Sequence, residues 1–398
     1  MSAAPEPTNP SGCPVVETKF FTFAQEGGDP LTLECNGKLS PVTLAYETYG
    51  QLNEARDNAI LVFHALTGSQ HAAGFNPAVE GVDRLWNEEC RTGWWDDFIG
   101  PNRALDTNLY HVICANYIGG CYGSTGPTST NPKTGKPYGG DFPIVTLGDV
   151  VDSQMRLLDH LGVRTLLAAS GGSLGGMMAL DLAVRYPERV RCVIPIATGV
   201  RASTLQRLHN FEQIYAIEED PNFNYGHYYD GEPPLMGLVL ARMIGHKTFV
   251  SLGVLQERAG GQILQGDDDL KGYRLQHAIE SYMLNRGRKF VERFDANAYL
   301  RIISMWQRFD LTRSSGGYLP RALVPCRDHR FLIFSIDSDV CYYNDEQDEL
   351  CEGLKRASVN YLHITVHSDK GHDSFLLEPK LFSPHISYVL NETHCEIQ

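Results

Sequence analysis

Several short runs of this chain are apolar at consecutive positions instead of alternate ones, and this constrains its fold more than any other feature. AILVFHA (59–65), LYHVICANY (109–117), RTLLAAS (164–170), RCVIPIA (191–197), RFLIFSID (330–337) and NYLHITVHS (360–368) read as strands bounded by turn residues. A strand that is apolar on both sides must be covered on both sides, as parallel strands are when helices cross over them. LGDVVDSQMRLLDHLG (147–162) and LGGMMALDLAVRYP (174–187) have the helical spacing such crossovers need. The alternation of strand and helix predicts an α/β fold with a mostly parallel, doubly wound sheet.

Between 200 and 324 the strand pattern stops, and helix-like segments such as STLQRLHNFEQIYAIEED and GLVLARMIGHKTFVSLGVLQERA follow one another. This predicts a helical lid at 200–324, inserted into a sheet core made of 19–199 and 325–398. ANAYLRIISMWQRFDL (296–311) has apolar residues at helical spacing, so Met305 and Trp306 read as packing and not as a cofactor box. The first 18 residues have neither a positive start nor an apolar stretch, and they predict a flexible tail instead of a signal peptide. The cytoplasm is then the expected compartment.

Charge narrows the partners. The chain has 34 basic and 48 acidic residues, a formal net charge of −14, which repels a nucleic-acid backbone. An anionic substrate such as coenzyme A would need a local basic pocket against this global field. No window is long and apolar enough to predict a membrane span. The ten cysteines include no C-x-x-C pair and read as reduced thiols; no metal site is expected.

Gly171-Gly172-Ser173-Leu174-Gly175 fits G-x-S-x-G and lies between a predicted strand and a predicted helix. That context makes Ser173 a candidate nucleophile on a sharp elbow, against the plainer reading of a glycine-rich connection. A serine hydroxyl needs a histidine base and a carboxylate to orient that base. Both are available later in the chain, each at the end of a strand: Asp337 and Asp339 in SIDSDVCYY, His372 in HSDKGHDSFLLEP. His367 is a rival base, placed before the loop, and His363 reads as structural. Chemistry alone leaves Asp337 and Asp339 nearly even. The amides of Leu174 and of Leu66, in FHALTGSQHAAG, are candidate donors to a tetrahedral oxyanion. His64 reads as a residue that orients this loop.

At this point the sequence resembles the homoserine O-acyltransferases of the α/β-hydrolase fold, which acylate homoserine in methionine biosynthesis. The resemblance rests on LAYETYG, HALTGSQHAAG, GWWDDFIGPNRALDT, NYIGGCYGSTGPTSTNPKTGKPYGGDFP, GGSLGGMMALDLAVRYPERV, YYDGEPPLMGLVLARMIGH, FVERFDANAYL, DSDV and GHDSFLLE, spread from about residue 40 to 380. It implies Ser173 as nucleophile, Asp339 as triad acid, His372 as base, and Leu66 and Leu174 as the oxyanion hole. It further implies that Arg242 and Asp373 hold the charged ends of the amino-acid acceptor, although Arg242 taken alone reads as a solvated helix residue. Acetyl-CoA, or succinyl-CoA, is the implied co-substrate, with homoserine preferred over serine, an esterase as a further rival, and a homodimer formed through the lid.

The sequence departs from the family pattern at SLGGMM, at NFEQIYA, at VCYYN after the acid, and at Asn285-Arg286-Gly287. Arg286 has three readings: a partner for a succinyl carboxylate, a partner for a CoA phosphate, or a solvent-facing side chain.

Overall fold

The computed structural model describes residues 13–25, 28–259 and 270–396. Eight strands form one sheet: β1 (Lys19–Phe23), β2 (Val42–Tyr49), β3 (Ala59–Phe63), β4 (His111–Ala115), β5 (Leu166–Gly172), β6 (Val190–Ile196), β7 (Arg330–Ile336) and β8 (Asn360–Val366). Their spatial order is β1-β2-β4-β3-β5-β6-β7-β8. The pairs β1/β2 and β2/β4 are antiparallel, and every later pair is parallel.

All six expected strands form, and the unbroken apolar character of those inside the sheet has a direct cause, whereas β8, at the sheet edge, alternates. Leu61, Ile113, Ala169, Val193 and Ile333 belong to one hydrophobic layer, whereas their chain neighbours Ile60, Val112, Ala168, Ile194 and Leu332 belong to the layer on the opposite face. Helices α1 (Leu147–His160) and α2 (Leu174–Arg185) pack on the first face and bridge β4 to β5 and β5 to β6. The C-terminal helix supplies Phe382, Ile386, Val389 and Leu390 to the second. Strands β1 and β2 are additions to the expected set. Their lower apolar content fits an edge position for β1 and, in β2, a buried glutamate, Glu47.

The tail expected over 1–18 is tied down where it is described, and residues 1–12 lie outside the described part. Val16 N donates to Phe75 O at 2.9 Å, and the Thr18 hydroxyl donates to Glu47 at 2.8 Å.

Between β6 and β7 the chain leaves the sheet for α3 (Thr204–Glu218), α4 (Leu235–Phe249), α5 (Leu252–Ala259), α6 (Ala278–Val291) and α7 (Ala296–Arg308). A capping box of Ser203 and Gln206 starts α3, and Asp295 caps α7 by accepting from Ala298 N. The long apolar run at 237–259 breaks where Val250 turns extended, which separates α4 from α5. Met305 and Trp306 are both buried in packing. Among the described residues no helix is long and apolar enough to cross a membrane.

Candidate active site

Ser173 lies between β5 and α2 with φ 58° and ψ −126°, a backbone conformation costly for any residue with a side chain. Neighbouring contacts hold it there: Ser173 N donates to Ile196 O at 2.9 Å, and the Thr198 hydroxyl donates to Ser173 O at 2.7 Å. The surrounding glycines are required by close approach. A Cβ on Gly175 would run into Phe63 O, and one on Gly172 would run into the Phe375 ring. The first turn of α2 is thereby pressed against the end of β3, with Phe63 paired to Gly171 across the sheet. This brings the start of α2, where Leu174 is the first residue, beside the loop that carries Leu66. A helix's first amides have no intrahelical acceptor, so the Leu174 N–H is available to a ligand.

The chain ends of β7 and β8 deliver the other two groups. His372 is buried, and its Nδ1 donates to Asp339 Oδ2 at 2.7 Å. The other oxygen of Asp339 accepts from the amides of Cys341 and Tyr342 at 2.7 and 3.0 Å. With Nδ1 committed to Asp339, Nε2 of His372 has no hydrogen-bond partner among the described residues. Burial works against the imidazolium, but the nearby carboxylates of Asp339, Asp373 and Glu346 outweigh it and hold the His372 pKa above its ordinary value. The ring is boxed by Tyr342, stacked at 5.4 Å, and by Phe375, edge-on at 5.4 Å.

Asp337 takes a different partner. It accepts from His367 Nδ1 at 2.8 Å and from Ser368 N at 3.0 Å, at the protein surface. The rival acid and the rival base thus pair with each other, away from the buried pair. His363 lies within β8 against the Ser335 hydroxyl. His64 is fully buried; its Nδ1 donates to Ala65 O at 2.8 Å and its ring stacks on Tyr117. Desolvation drives its pKa down to about 4, so it is neutral and shapes the loop after β3.

Arg242 is not the solvated residue that its helix position suggests. It is half-buried on α4, with its guanidinium 4.8 Å from the Phe290 ring centroid and 5.4 Å from that of Phe249. Burial and the charge of Arg293 lower its pKa, while Tyr299 and Asp373 act in the opposite direction. Asp373, next to the base in the chain, is half-buried. Arg286 is exposed and lies over the Tyr282 ring at 5.2 Å, in line with the solvent-facing reading.

Sequence reasoning passed over Tyr342, which meets Asp339 through its amide and His372 through its ring. The paired tyrosines directly after the acid are the signal that points to it. It also passed over Arg293, whose guanidinium reaches Thr67 O in the loop of Leu66 at 3.4 Å and the Tyr122 hydroxyl at 3.2 Å.

A strained elbow serine and a buried His–Asp pair, both carried on loops that follow parallel strands of a sheet of this order, agree with comparisons to known proteins. A family model for the alpha/beta hydrolase fold matches residues 58–379. The homoserine O-acetyltransferase of Solidesulfovibrio magneticus is 43% identical over 96% of this chain and 95% of its own length. The chain belongs to the homoserine O-acetyltransferase family. Within the solved structures, the homoserine O-acetyltransferase from Bacillus anthracis superposes with a TM-score of 0.84 at 27% identity, covering 95% of this chain and 98% of that one. Esterase E22 superposes with a TM-score of 0.82 at 27% identity, covering 94% of this chain and 100% of its own.

Proposed function

We propose that this protein transfers the acetyl group of acetyl-CoA to the hydroxyl of L-homoserine, through an acyl-enzyme on Ser173. The observation that carries the reading is the buried His372–Asp339 pair at 2.7 Å, with a strained elbow serine after another strand of the same sheet, in a chain 43% identical to a homoserine O-acetyltransferase.

Ser173 Oγ attacks the thioester carbonyl while its proton passes to His372 Nε2. Negative charge builds on the carbonyl oxygen, where the amides of Leu66 and Leu174 donate to it. Collapse breaks the C–S bond, and His372 returns the proton to the departing CoA sulfur. Homoserine then enters, gives its hydroxyl proton to His372 Nε2 and attacks the acyl-serine. A second collapse releases O-acetylhomoserine and restores the Ser173 hydroxyl with the proton from His372. Asp339 keeps the imidazole in the tautomer whose Nε2 faces the reaction and stabilises the imidazolium that forms twice per cycle.

The acceptor is a zwitterion, and the site offers one group for each end. Arg242 takes the carboxylate, for which a planar guanidinium is suited, and Asp373 takes the ammonium. The lid, residues 200–324, keeps bulk water from competing with the homoserine hydroxyl for the same acyl-serine. The product feeds methionine biosynthesis in the cytoplasm.

The lid also carries the surface through which we expect two copies to associate. Leu208, Phe211 and Tyr215 of α3 and Met236 and Leu240 of α4 are exposed apolar side chains.

The likeness to esterase E22 favours hydrolysis as the second reading. CoA release from acetyl-CoA, measured with homoserine, with serine and with no acceptor, separates the two. Release that depends on homoserine supports the transferase; equal release without any acceptor makes the protein an esterase. Substituting succinyl-CoA in the same assay identifies the donor.

A further inference from the structure

The resemblance motifs LAYETYG and HALTGSQHAAG contain two buried polar residues that the chemistry above does not use, Glu47 and His71, both with side chains 0% exposed. Glu47 sits in β2 and His71 in the loop that also carries Leu66. One carboxylate oxygen of Glu47 accepts from Thr18 Oγ1 and Asn76 Nδ2, each at 2.8 Å. The other accepts from the Tyr49 hydroxyl at 2.7 Å and faces His71 Nδ1 at 2.8 Å.

The second ring nitrogen of His71 defines the state of this pair. Nε2 lies 3.0 Å from Arg91 O, and a carbonyl only accepts, so Nε2 carries a hydrogen. Nδ1 faces the Glu47 carboxyl, so both ring nitrogens are engaged inside the protein and one hydrogen lies between the two buried side chains. Burial alone would push the Glu47 carboxyl up, but the hydrogen bonds and charge of His71, with those of Tyr49 and Asn76, hold it below its usual range.

What this pair holds is the backbone around the active site. Tyr49, having given its hydrogen to Glu47, accepts from the amides of Ala72 and Ala73 at 2.7 and 3.1 Å. Ala72 O accepts from Trp95 N at 2.8 Å, and Trp95 Nε1 donates to Phe375 O at 2.9 Å. Phe375 is the residue set edge-on against His372 and closing on Gly172. A continuous chain of bonds thus runs from Glu47 through the loop of Leu66 to the segment that carries the base.

We infer that Glu47 and His71 are positioning residues for acyl transfer: their buried hydrogen-bonded pair, acting through Tyr49, sets the loop whose Leu66 amide receives the oxyanion. The inference rests on the acyl-enzyme reading of Ser173 given above. A buried pair that served packing alone would also lose stability when broken, so melting temperature by itself does not discriminate. A misplaced oxyanion donor has its own signature, a loss in kcat without a matching change in KM.

The test compares the full-length wild-type protein with Glu47→Gln and Tyr49→Phe. Tyr49→Phe keeps both Glu47 and His71 and removes the hydroxyl that joins Glu47 to the amides of Ala72 and Ala73, so it decides the matter should Glu47→Gln fail to fold. Kinetics with acetyl-CoA and homoserine are paired with the labelling rate of Ser173 by a fluorophosphonate, in which the serine oxygen bonds to phosphorus, fluoride leaves and the phosphonyl oxygen needs the same donors. We expect kcat and labelling to fall together by about tenfold or more, with the KM for acetyl-CoA within about twofold, at temperatures where both variants are folded. Wild-type kcat and labelling in a folded variant, or a rise in KM alone, overturns the inference. Labelling requires no acyl donor or acceptor, so a wild-type protein that labels but does not acetylate homoserine defeats the substrate reading and still leaves this inference to be decided by the variants.

Discussion

Asp337 and Asp339 lie two residues apart after the same strand and hold different histidines, His367 at the surface and His372 in the buried site. Chain position alone makes them near equivalents. Their environments do not: Asp339 accepts two backbone amides in addition to His372, whereas Asp337 pairs with a histidine whose side chain is 85% exposed. An exposed pair contributes little, on the order of 0–1 kcal/mol.

Replacing each in turn exploits this difference. Asp339→Asn leaves the geometry nearly intact but favours the wrong tautomer of His372, and kcat should drop by roughly 10⁴-fold. Asp337→Asn should keep kcat within about twofold. Steady-state CoA release measures both, and comparable losses in the two variants would show that the acid has been misassigned.

Ser173→Ala removes the atom proposed to carry the acyl group. Homoserine-dependent CoA release should fall by about 10⁴-fold or more, and adding His372→Ala to it should cost almost nothing further, because residues of one triad act as a unit. Mass spectrometry of wild-type protein mixed with acetyl-CoA should find one added acetyl on the peptide containing Ser173. A fully active alanine variant contradicts the mechanism for any substrate.

The carboxylates around His372 fix the sign of its pH dependence. Acylation needs neutral Nε2, and the His372 pKa is raised, so activity should rise with pH through an apparent pKa above that of ordinary histidine. Glu346 is one of the groups responsible, and burial pushes its own carboxyl up to about 7. Glu346→Gln keeps a polar group against Gln206 while removing the charge. Loss of negative charge destabilises the imidazolium, so the acidic limb of kcat/KM should move to lower pH. A shift to higher pH, or none, would show that Glu346 does not act on the base.

Arg242 separates the two half-reactions. Arg242→Leu should raise the KM for homoserine by about tenfold to a hundredfold, since a charged hydrogen-bonding partner is worth roughly 1.5–3 kcal/mol. The acetylation burst in the absence of homoserine should stay near its wild-type rate. A variant that loses the burst and retains the homoserine KM would place Arg242 on the donor side of the site.

How far these groups can be read in the sequence depends on the range of the interaction that places them. The strand of AILVFHA and the elbow at Ser173 are local: apolar residues on both faces and small residues around the serine suffice. The choice of Asp339 over Asp337 requires the loop after β8 to fold back on the loop after β7, and no residue pattern within either loop encodes that. Arg242 misleads for a related reason. Its helix is apolar on most sides, so the side that meets Phe290 is decided by α6 packing against α4, a contact between segments far apart in the chain. Glu47 is hidden by its charge, since a glutamate within a strand ordinarily marks a solvated face, whereas here Thr18, Tyr49, His71 and Asn76 satisfy it.

The outward face of the lid yields a last prediction. Phe211 and Tyr215 are 58% and 56% exposed on α3, one helical turn apart, with Met236 of α4 at 68%. Large apolar side chains gathered on paired helices normally mark a surface that another protein covers. If that protein is a second copy, sedimentation should give twice the chain mass at micromolar concentration, and Phe211→Glu should give the single-chain mass. Within the chain the substitution removes only the ring contact with the equally exposed Tyr215, so the melting temperature of the dissociated variant tells whether the fold needs its partner. The helices that carry this face also reach the loops of Asp339 and His372: Gln206 at the start of α3 donates to Cys341 O at 2.7 Å, and Ser251, just beyond α4, has its amide on Lys370 O at 3.4 Å. Dissociation should therefore lower kcat as well as mass. A monomeric Phe211→Glu protein with wild-type kcat would show that the lid holds these loops without help from a second chain.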